Sequence, residues 1–402
     1  MTYSFDYLLV GGGCAGLAMA GQLLEKFGSD KRILIIDRDA KLSNDRTWAF
    51  WSKEELPLGL GQIISKKWSS VRFVAPDWER TANISPYQYQ LIRSEDYYHF
   101  FRQRLKHLPN VGFLQAEVSA VGEDELGPYA VIGRDCYRAE WLFDSRPPKL
   151  VPSPTGARDY FLWQHFKGWH IKLSTPAFSD QAATLMDFSC NHDGTPSFFY
   201  CLPFSPYEAL IEYTIFSEEV WNAAAYDAPL KSYIHRVLGH DGYTVMEEES
   251  GRIPMTNRNL SQPEFKRIRA LGTAANAVKP TTGYAFLRIQ AQAKQYAKDL
   301  LETGDISSST MTTDRWNWYD QLLLYLLQYE PHRSAIIFST LFKKQPFDRI
   351  LRFLDEDSRW YEEVSIFKDL PIGWFLEAAW KHHWAGVASN RQSSFPKKAQ
   401  YG

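Results

Sequence analysis

The chain has 402 residues, too long for one ordinary domain, so two closely joined domains are the default expectation. Hydrophobic residues at 45% and charged residues at 23% exclude a disordered chain, and a net charge of −2 gives no electrostatic reason to expect a nucleic-acid partner. Aromatic residues are in excess, at 15% with 14 Trp, which suits a large apolar substrate, a membrane-interface belt or an aromatic core alike.

Tyr7-Leu8-Leu9-Val10 is a short continuous apolar run, the pattern of a strand buried on both faces. It enters Gly11-Gly12-Gly13-Cys14-Ala15-Gly16, in which Gly11, Gly13 and Gly16 satisfy G-x-G-x-x-G. Leu17, Ala20, Leu23 and Leu24 follow at helical spacing, and Ile33-Leu34-Ile35-Ile36 is a second strand ending at Asp37. Phe5 to Asp37 is thus predicted to be a dinucleotide-binding strand–turn–helix–strand unit. Gly11 permits the tight turn, Gly13 admits pyrophosphate to the backbone, and Gly16 lets helix and strand pack closely. Asp37 is placed to accept from a ribose hydroxyl, and Arg38 beside it joins the cofactor-binding candidates. A unit of this kind at the start of a long mixed chain suits FAD enzymes better than simple NAD dehydrogenases.

Further along, Ser94-Glu95-Asp96 is predicted to cap a helix through about Lys106. Val111 to Val118 and Ala130 to Ile132 read as strands, and Trp141-Leu142-Phe143 leads into Asp144-Ser145-Arg146. Phe161 to Phe216 reads as antiparallel strands and turns. Within it, Phe198 to Phe204 and Ala209 to Phe216 are joined at Ser205-Pro206-Tyr207. Gly272 ends a strand, and Lys279-Pro280-Thr281-Thr282-Gly283 opens a helix burying Phe286, Ile289, Ala293, Tyr296 and Leu300. From about Asp314 the chain is helical and rich in aromatics. The expected architecture is α/β, with a discontinuous nucleotide domain over residues 1–150 and 250–305. A β-sheet substrate domain is expected over 151–249 and a helical region over 306–402.

Cys14, Cys136, Cys190 and Cys201 form no CxxC pair, which predicts no zinc site and no disulfide framework. No run of 18 apolar residues predicts a bilayer span, and the start of the chain lacks signal-peptide character. Surface attachment to a membrane stays open.

The late Gly272 turn followed by Pro280-x-x-Gly283 resembles the second flavin-contacting segment of aromatic-hydroxylase-like FAD enzymes, with Thr273 where those usually carry Asp. Further segments resemble the lycopene cyclase family, closest to its bacterial β-cyclases. They are Asn44-Asp45-Arg46-Thr47-Trp48-Ala49-Phe50-Trp51, Asp144-Ser145-Arg146, Gln164-x-Phe166-x-Gly168-Trp169 and Leu202-Pro203-Phe204-Ser205, followed by Leu210-Ile211-Glu212-x-Thr214, Gly251-x-Ile253-Pro254-Met255 and Lys279 to Tyr284. The match runs in order to about Asp357; Arg46 departs from the His of many bacterial relatives. The resemblance implies a redox-neutral isomerisation of lycopene or a related acyclic carotenoid into a β-ionone ring. It also implies reduced FAD, NAD(P)H as electron donor, and a peripheral position on the inner face of the cell membrane. The rival readings are an FAD monooxygenase or reductase acting on another apolar isoprenoid, and a silent carotenoid-binding flavoprotein.

Among single residues, Glu212 shares a strand face with Leu210, Thr214 and Phe216, where a carboxyl among apolar neighbours gains a raised pKa. Spacing alone leaves a solvated carboxylate open; the family's glutamate motif implies a proton donor. Glu208 reads as exposed, and Glu249 belongs to the acidic run Glu247-Glu248-Glu249, usually a solvated face. Asp144 either orients the flavin or pairs with Arg146. His382 and His383 point different ways on a helix and so predict no metal site. Trp374, Phe375, Trp380 and Trp384 suit interfacial anchoring or a core helix equally.

Overall fold

The structure is a computed structural model and describes residues 2–147, 156, 158–189, 194–239, 242–260, 265–306 and 313–393. Cys190 lies outside the described residues.

The first seven-stranded sheet has a parallel half, in the order Val111–Gln115, Ile33–Asp37, Thr2–Val10 and Asp135–Asp144. Leu8 stands between Leu34 and Leu142 in register, so continuous apolar runs meet at the sheet centre. The antiparallel strands Gly127–Ile132 and Ala120–Asp124 extend it. Ile268–Ala270 returns from far along the chain to pair with Asp135–Asp144. Helix Cys14–Phe27 packs beside helix Phe286–Thr303, and Ala15, Ala18, Ala293 and Ala297 keep that contact close. Buried Phe286, Ile289, Ala293 and Leu300 form the predicted inner face; Ala297 is buried as well, while Tyr296 is half-buried.

The second seven-stranded sheet runs Tyr243–Thr256, Phe161–Leu173, Glu208–Ser217, Ser197–Ser205, Ala182–Asp187, Ser70–Val74 and Glu79–Asn83. Its last two strands come from before residue 150, so this sheet draws on more of the chain than 151–249. Both are short and lie between turns, which hides them from periodicity. Period-two alternation divides the sheet's faces. Ile211, Tyr213 and Ile215 pack on Leu230, Tyr233 and Ile234 of helix Asp227–Leu238. Leu162, Phe198, Leu202, Leu210, Phe216 and Met255 face the other way, into one core with Leu324, Leu327, Leu341, Ile350 and Ile366 of the C-terminal helices. Each such side chain buried from water contributes about 1.5–3 kcal/mol. The C-terminal region is thereby bound to the second sheet.

A three-stranded sheet, Thr47–Ser52, Gln88–Arg93 and Lys66–Trp68, lies between these layers. Here one expectation is corrected: Ser94 is the first residue of helix Ser94–Leu105, and Arg93 is its N-cap, with no side-chain capping bond. The Ser94 hydroxyl instead accepts from the backbone N–H groups of Asp45 (2.9 Å) and Arg46 (3.2 Å). Ser94 therefore fastens the loop that presents Arg46 and Thr47.

Candidate active site

At the nucleotide turn the backbone does most of the work. A Cβ on Gly16 would strike the carbonyl of Gly11, so only glycine lets the helix start this close to the strand. A Cβ on Gly13 would meet nothing within 4 Å; it faces open space. Gly13 is also the N-cap of helix Cys14–Phe27 and makes no side-chain capping bond, so first-turn N–H groups remain available to an anion. The N–H of Gly12 donates to Asp37 Oδ2 at 2.6 Å, and that of Asp39 donates to Oδ1 at 2.7 Å. The Asp37 carboxylate is thus fixed at the edge of a cleft of about 360 Å³. Leu17, Ile35 and Phe113 give this cleft apolar walls, with Lys41, Arg102 and Lys106 at its rim. Arg38 is exposed beside it.

Asp144 ends the strand next to this turn, where Arg146 grips it through Nε (3.0 Å) and Nη2 (2.7 Å). Of the two readings of Asp144, its geometry is that of the local ion pair. Gly272 packs on Ala15 of the first helix, and its N–H donates to Gln292 at 2.8 Å. Gly283 lies against the amide of Gln164, whose buried Oε1 has no hydrogen-bond partner. Pro280 sits between them in a turn held by a buried ion network. Lys279 Nζ meets Asp320 at 2.9 Å and Glu356 at 2.8 Å, the Thr281 hydroxyl donates to Asp320 at 2.8 Å, and Arg288 meets Glu356 at 3.1 Å. Two cations face two carboxylates there, so no buried charge is left unpaired.

The carboxyl groups of interest lie on the second sheet. Register places Tyr200 opposite Glu212, Glu212 opposite Gly168, and Gly168 opposite Glu249, one row across four strands. Glu212 lies deep among protein atoms yet keeps partial accessibility, as a group lining an interior space does. Its Oε1 accepts from the Thr214 hydroxyl at 2.6 Å. Burial, and then the charge of Glu249, push its carboxyl up to about 8 despite that bond. Glu212 is therefore mostly protonated at neutral pH. Glu249 is not on a solvated face, unlike its neighbours Glu247 and Glu248, which pair with Arg93 and Lys167. It turns inward, accepts from the Thr47 hydroxyl at 2.7 Å, and burial raises its pKa too.

Three tyrosines surround Glu212. The hydroxyls of Tyr89 and Tyr284 are 3.2 Å apart, Tyr200 lies beside Tyr284, and all three feel the Glu212 charge. Trp51 closes on Tyr284 edge-on, with ring centroids 4.4 Å apart. Burial holds these phenols neutral, so the walls are aromatic with weakly polar tips. Tyr89, Tyr200, Gly168 and Thr47 were not singled out by sequence reasoning. Thr47, Gly168 and Tyr284 stand inside the family-like segments, and a glycine within a strand marks close approach of another group. Tyr89 and Tyr200 carry no local signal.

Glu208 pairs with Lys172 at 3.1 Å near the turn, away from this space. His382 is buried with Nδ1 2.6 Å from the Tyr160 hydroxyl, while His383 is exposed, and no metal-binding group of side chains occurs among the described residues. Trp374 and Phe375 lie partly buried against Leu322, Leu326 and Ile337, whereas Trp380 and Trp384 are 64% and 50% exposed.

The sequence profile of the family described as lycopene cyclase protein matches residues 6–379. A lycopene beta-cyclase of Pantoea ananas is 24% identical over 331 residues, which cover 80% of this chain and 81% of that protein. A lycopene beta cyclase of Synechococcus elongatus is 26% identical, over 77% of this chain and 75% of that one. Among solved structures, a geranylgeranyl bacteriochlorophyll reductase-like protein of Thermoplasma acidophilum superposes with a TM-score of 0.58 at 12% identity, covering 95% of this chain and 100% of that one. A Klebsiella pneumoniae HpxO variant complexed with FAD gives 0.61 at 12% identity, over 88% and 98%. The α/β architecture with a Rossmann-type nucleotide domain is shared with these flavoproteins.

Proposed function

The chain belongs to the lycopene cyclase family, and on that premise we propose that it is a lycopene β-cyclase using reduced FAD and Glu212 as proton donor. Family membership supports carotenoid cyclase activity.

The residues at the nucleotide turn fit FAD. Open space at Gly13 and free N–H groups at the helix start suit a pyrophosphate, and Asp37 suits a ribose hydroxyl. The unpartnered Gln164 Oε1 beside Gly283 suits a polar ring edge. When bound and kept reduced by NAD(P)H, FAD supplies an electron-rich surface that stabilises positive charge nearby. Glu212 gives its proton to the terminal double bond of the linear carotenoid. The resulting tertiary cation is attacked by the neighbouring double bond, and loss of a ring proton leaves the β-ionone ring. Tyr89, Tyr200, Tyr284 and Trp51 exclude water that would quench the cation, and their ring faces are electron-rich.

The observation that carries this reading is Glu212, buried on the sheet face and raised to about 8, because a polyene needs a donor that is still protonated at neutral pH. The test is expression in lycopene-accumulating bacteria with chromatography and mass measurement of the pigment. A cyclised product of unchanged mass supports the proposal; a product of altered mass assigns a monooxygenase or reductase instead. Unchanged lycopene contradicts catalysis.

We also propose that the protein meets the inner face of the membrane through its C-terminal helices. Trp360, Ile372, Leu376, Trp380 and Trp384 are each at least half exposed, with Lys381 among them. No helix among the described residues is long and apolar enough to cross a membrane. Co-flotation with anionic vesicles, reduced in Trp380→Ser/Trp384→Ser, is the expected outcome; flotation of the variant equal to wild type would count against it.

A further inference from the structure

We propose that Glu249 is a second working carboxyl of the same site: ionised, it takes the ring proton after cyclisation and hands it back to Glu212. This rests on the cyclase reading above.

The geometry is that of two acids sharing one gap. Both face Gly168, one from each neighbouring strand. A Cβ on Gly168 would lie 3.2 Å from Glu249 Cγ and 3.5 Å from Glu212 Cβ. The Glu249 side chain and Leu210 Cδ1, also 3.2 Å away, crowd the space above the glycine, and Glu212 borders it from the other strand. Strands two places apart are about 9–10 Å apart, and across that span the Glu249 charge raises the Glu212 carboxyl.

Their surroundings differ. Glu212 faces Thr214, the phenols of Tyr89, Tyr200 and Tyr284, and Glu249. Glu249 faces the Thr47 hydroxyl, the guanidinium groups of Arg93 and Arg46, and the carboxylate of Glu247. Burial raises the Glu249 carboxyl, opposed by the Thr47 hydroxyl and the two cations, whereas no cation offsets burial at Glu212; of the two, Glu249 is the one that ionises first. The proton count closes. Glu212 loses a proton to the CH carbon of the terminal double bond, and the tertiary cation so formed closes the ring. The ring carbon then loses a proton to the Glu249 carboxylate, and transfer from Glu249 to Glu212 restores both groups. No electrons and no net protons are consumed. Arg93 pairs at 2.7 Å with Glu247, on the same strand stretch as Glu249.

The test is steady-state cyclisation of lycopene in detergent or liposomes, across pH, with FAD-loaded protein. Wild type is expected to give a bell-shaped profile, because Glu249 must be ionised and Glu212 protonated. Glu249→Gln is expected to keep its flavin and its KM, lose about tenfold or more in kcat, and lose the acid limb while keeping the alkaline one. Glu249→Asp should restore part of the rate and the acid limb. An active wild type with an unchanged kcat and acid limb in Glu249→Gln overturns the inference alone; a wild type that forms no ring overturns the function beneath it. Gly168→Ala guards against misfolding of the first variant. Its methyl group presses on Glu249 Cγ, so a fall of about tenfold in kcat with flavin retained is expected, and wild-type turnover there would also overturn the proposal.

Discussion

The two ends of the active region are built by opposite means. The nucleotide end is made of backbone, contributed by one stretch of 33 residues from Phe5 to Asp37, in which glycines clear the way and the helix start keeps N–H groups without a capping side chain. The carboxyl end is made of side chains brought together from strands around residues 47, 89, 168, 200, 212 and 249 and from the turn at 284. A contiguous backbone device tolerates sequence drift elsewhere; a converging set of side chains depends on register across the whole sheet. A one-residue slip of Glu208–Ser217 would swap Glu212 for Ile211 or Tyr213 and send the acid into the opposite core.

Substitutions should separate the two ends. The largest effect is expected for Glu212→Gln, which removes the proton donor but not its shape. Ring formation should fall by about 100-fold or more with the flavin still bound; near-normal turnover would unseat Glu212. Gly13→Val should do the reverse. Its side chain fills the open space at the helix start, so bound flavin should fall by about tenfold or more while the fold survives; a variant purified with full yellow colour would break the assignment of that end.

The brace between the ends comes next. Lys279→Met leaves buried Asp320 without its cation while Glu356 keeps Arg288, so stability should fall by about 3 kcal/mol or more in urea titration. A neutral result would mean that water or Arg288 takes over the charge.

The smallest effect concerns pH. Glu212 is raised from 4.5 to about 8 in the folded protein. Between those values the unfolded chain releases this proton and the native protein keeps it, so this group's contribution to stability falls as pH rises through that window and is level above it. Glu212→Gln removes the penalty. Its Tm relative to wild type should therefore climb by a few degrees from about pH 5 to about pH 9. A constant gap would place Glu212 in an ordinary solvated setting.

Much of the nucleotide end was legible in the sequence because its instructions are local. Gly11, Gly13, Gly16 and Asp37 stand at fixed offsets in one chain segment, and a strand and helix flank them in the expected order. Glu212 was legible through alternation with Leu210 and Phe216 and through a family-like segment. Its neighbours were not. Glu249 looked solvated because it follows two exposed acids, and only pairing with Gly168 turns it inward. Tyr89 and Tyr200 resemble any strand aromatics until the sheets are stacked. Ser94 reads as a helix cap, and only the fold shows that its hydroxyl serves the Asp45–Arg46 backbone. The strands Ser70–Val74 and Glu79–Asn83 joined a sheet whose other members begin after residue 160, a pairing no local pattern encodes.

The most direct test of the central claim is difference infrared spectroscopy of flavin-loaded wild type minus Glu212→Gln across pH. A protonated-carboxyl carbonyl band should be present at neutral pH and disappear as pH rises through about 8. A wild type that already shows ionised Glu212 at neutral pH would contradict the assignment of this residue as the acid.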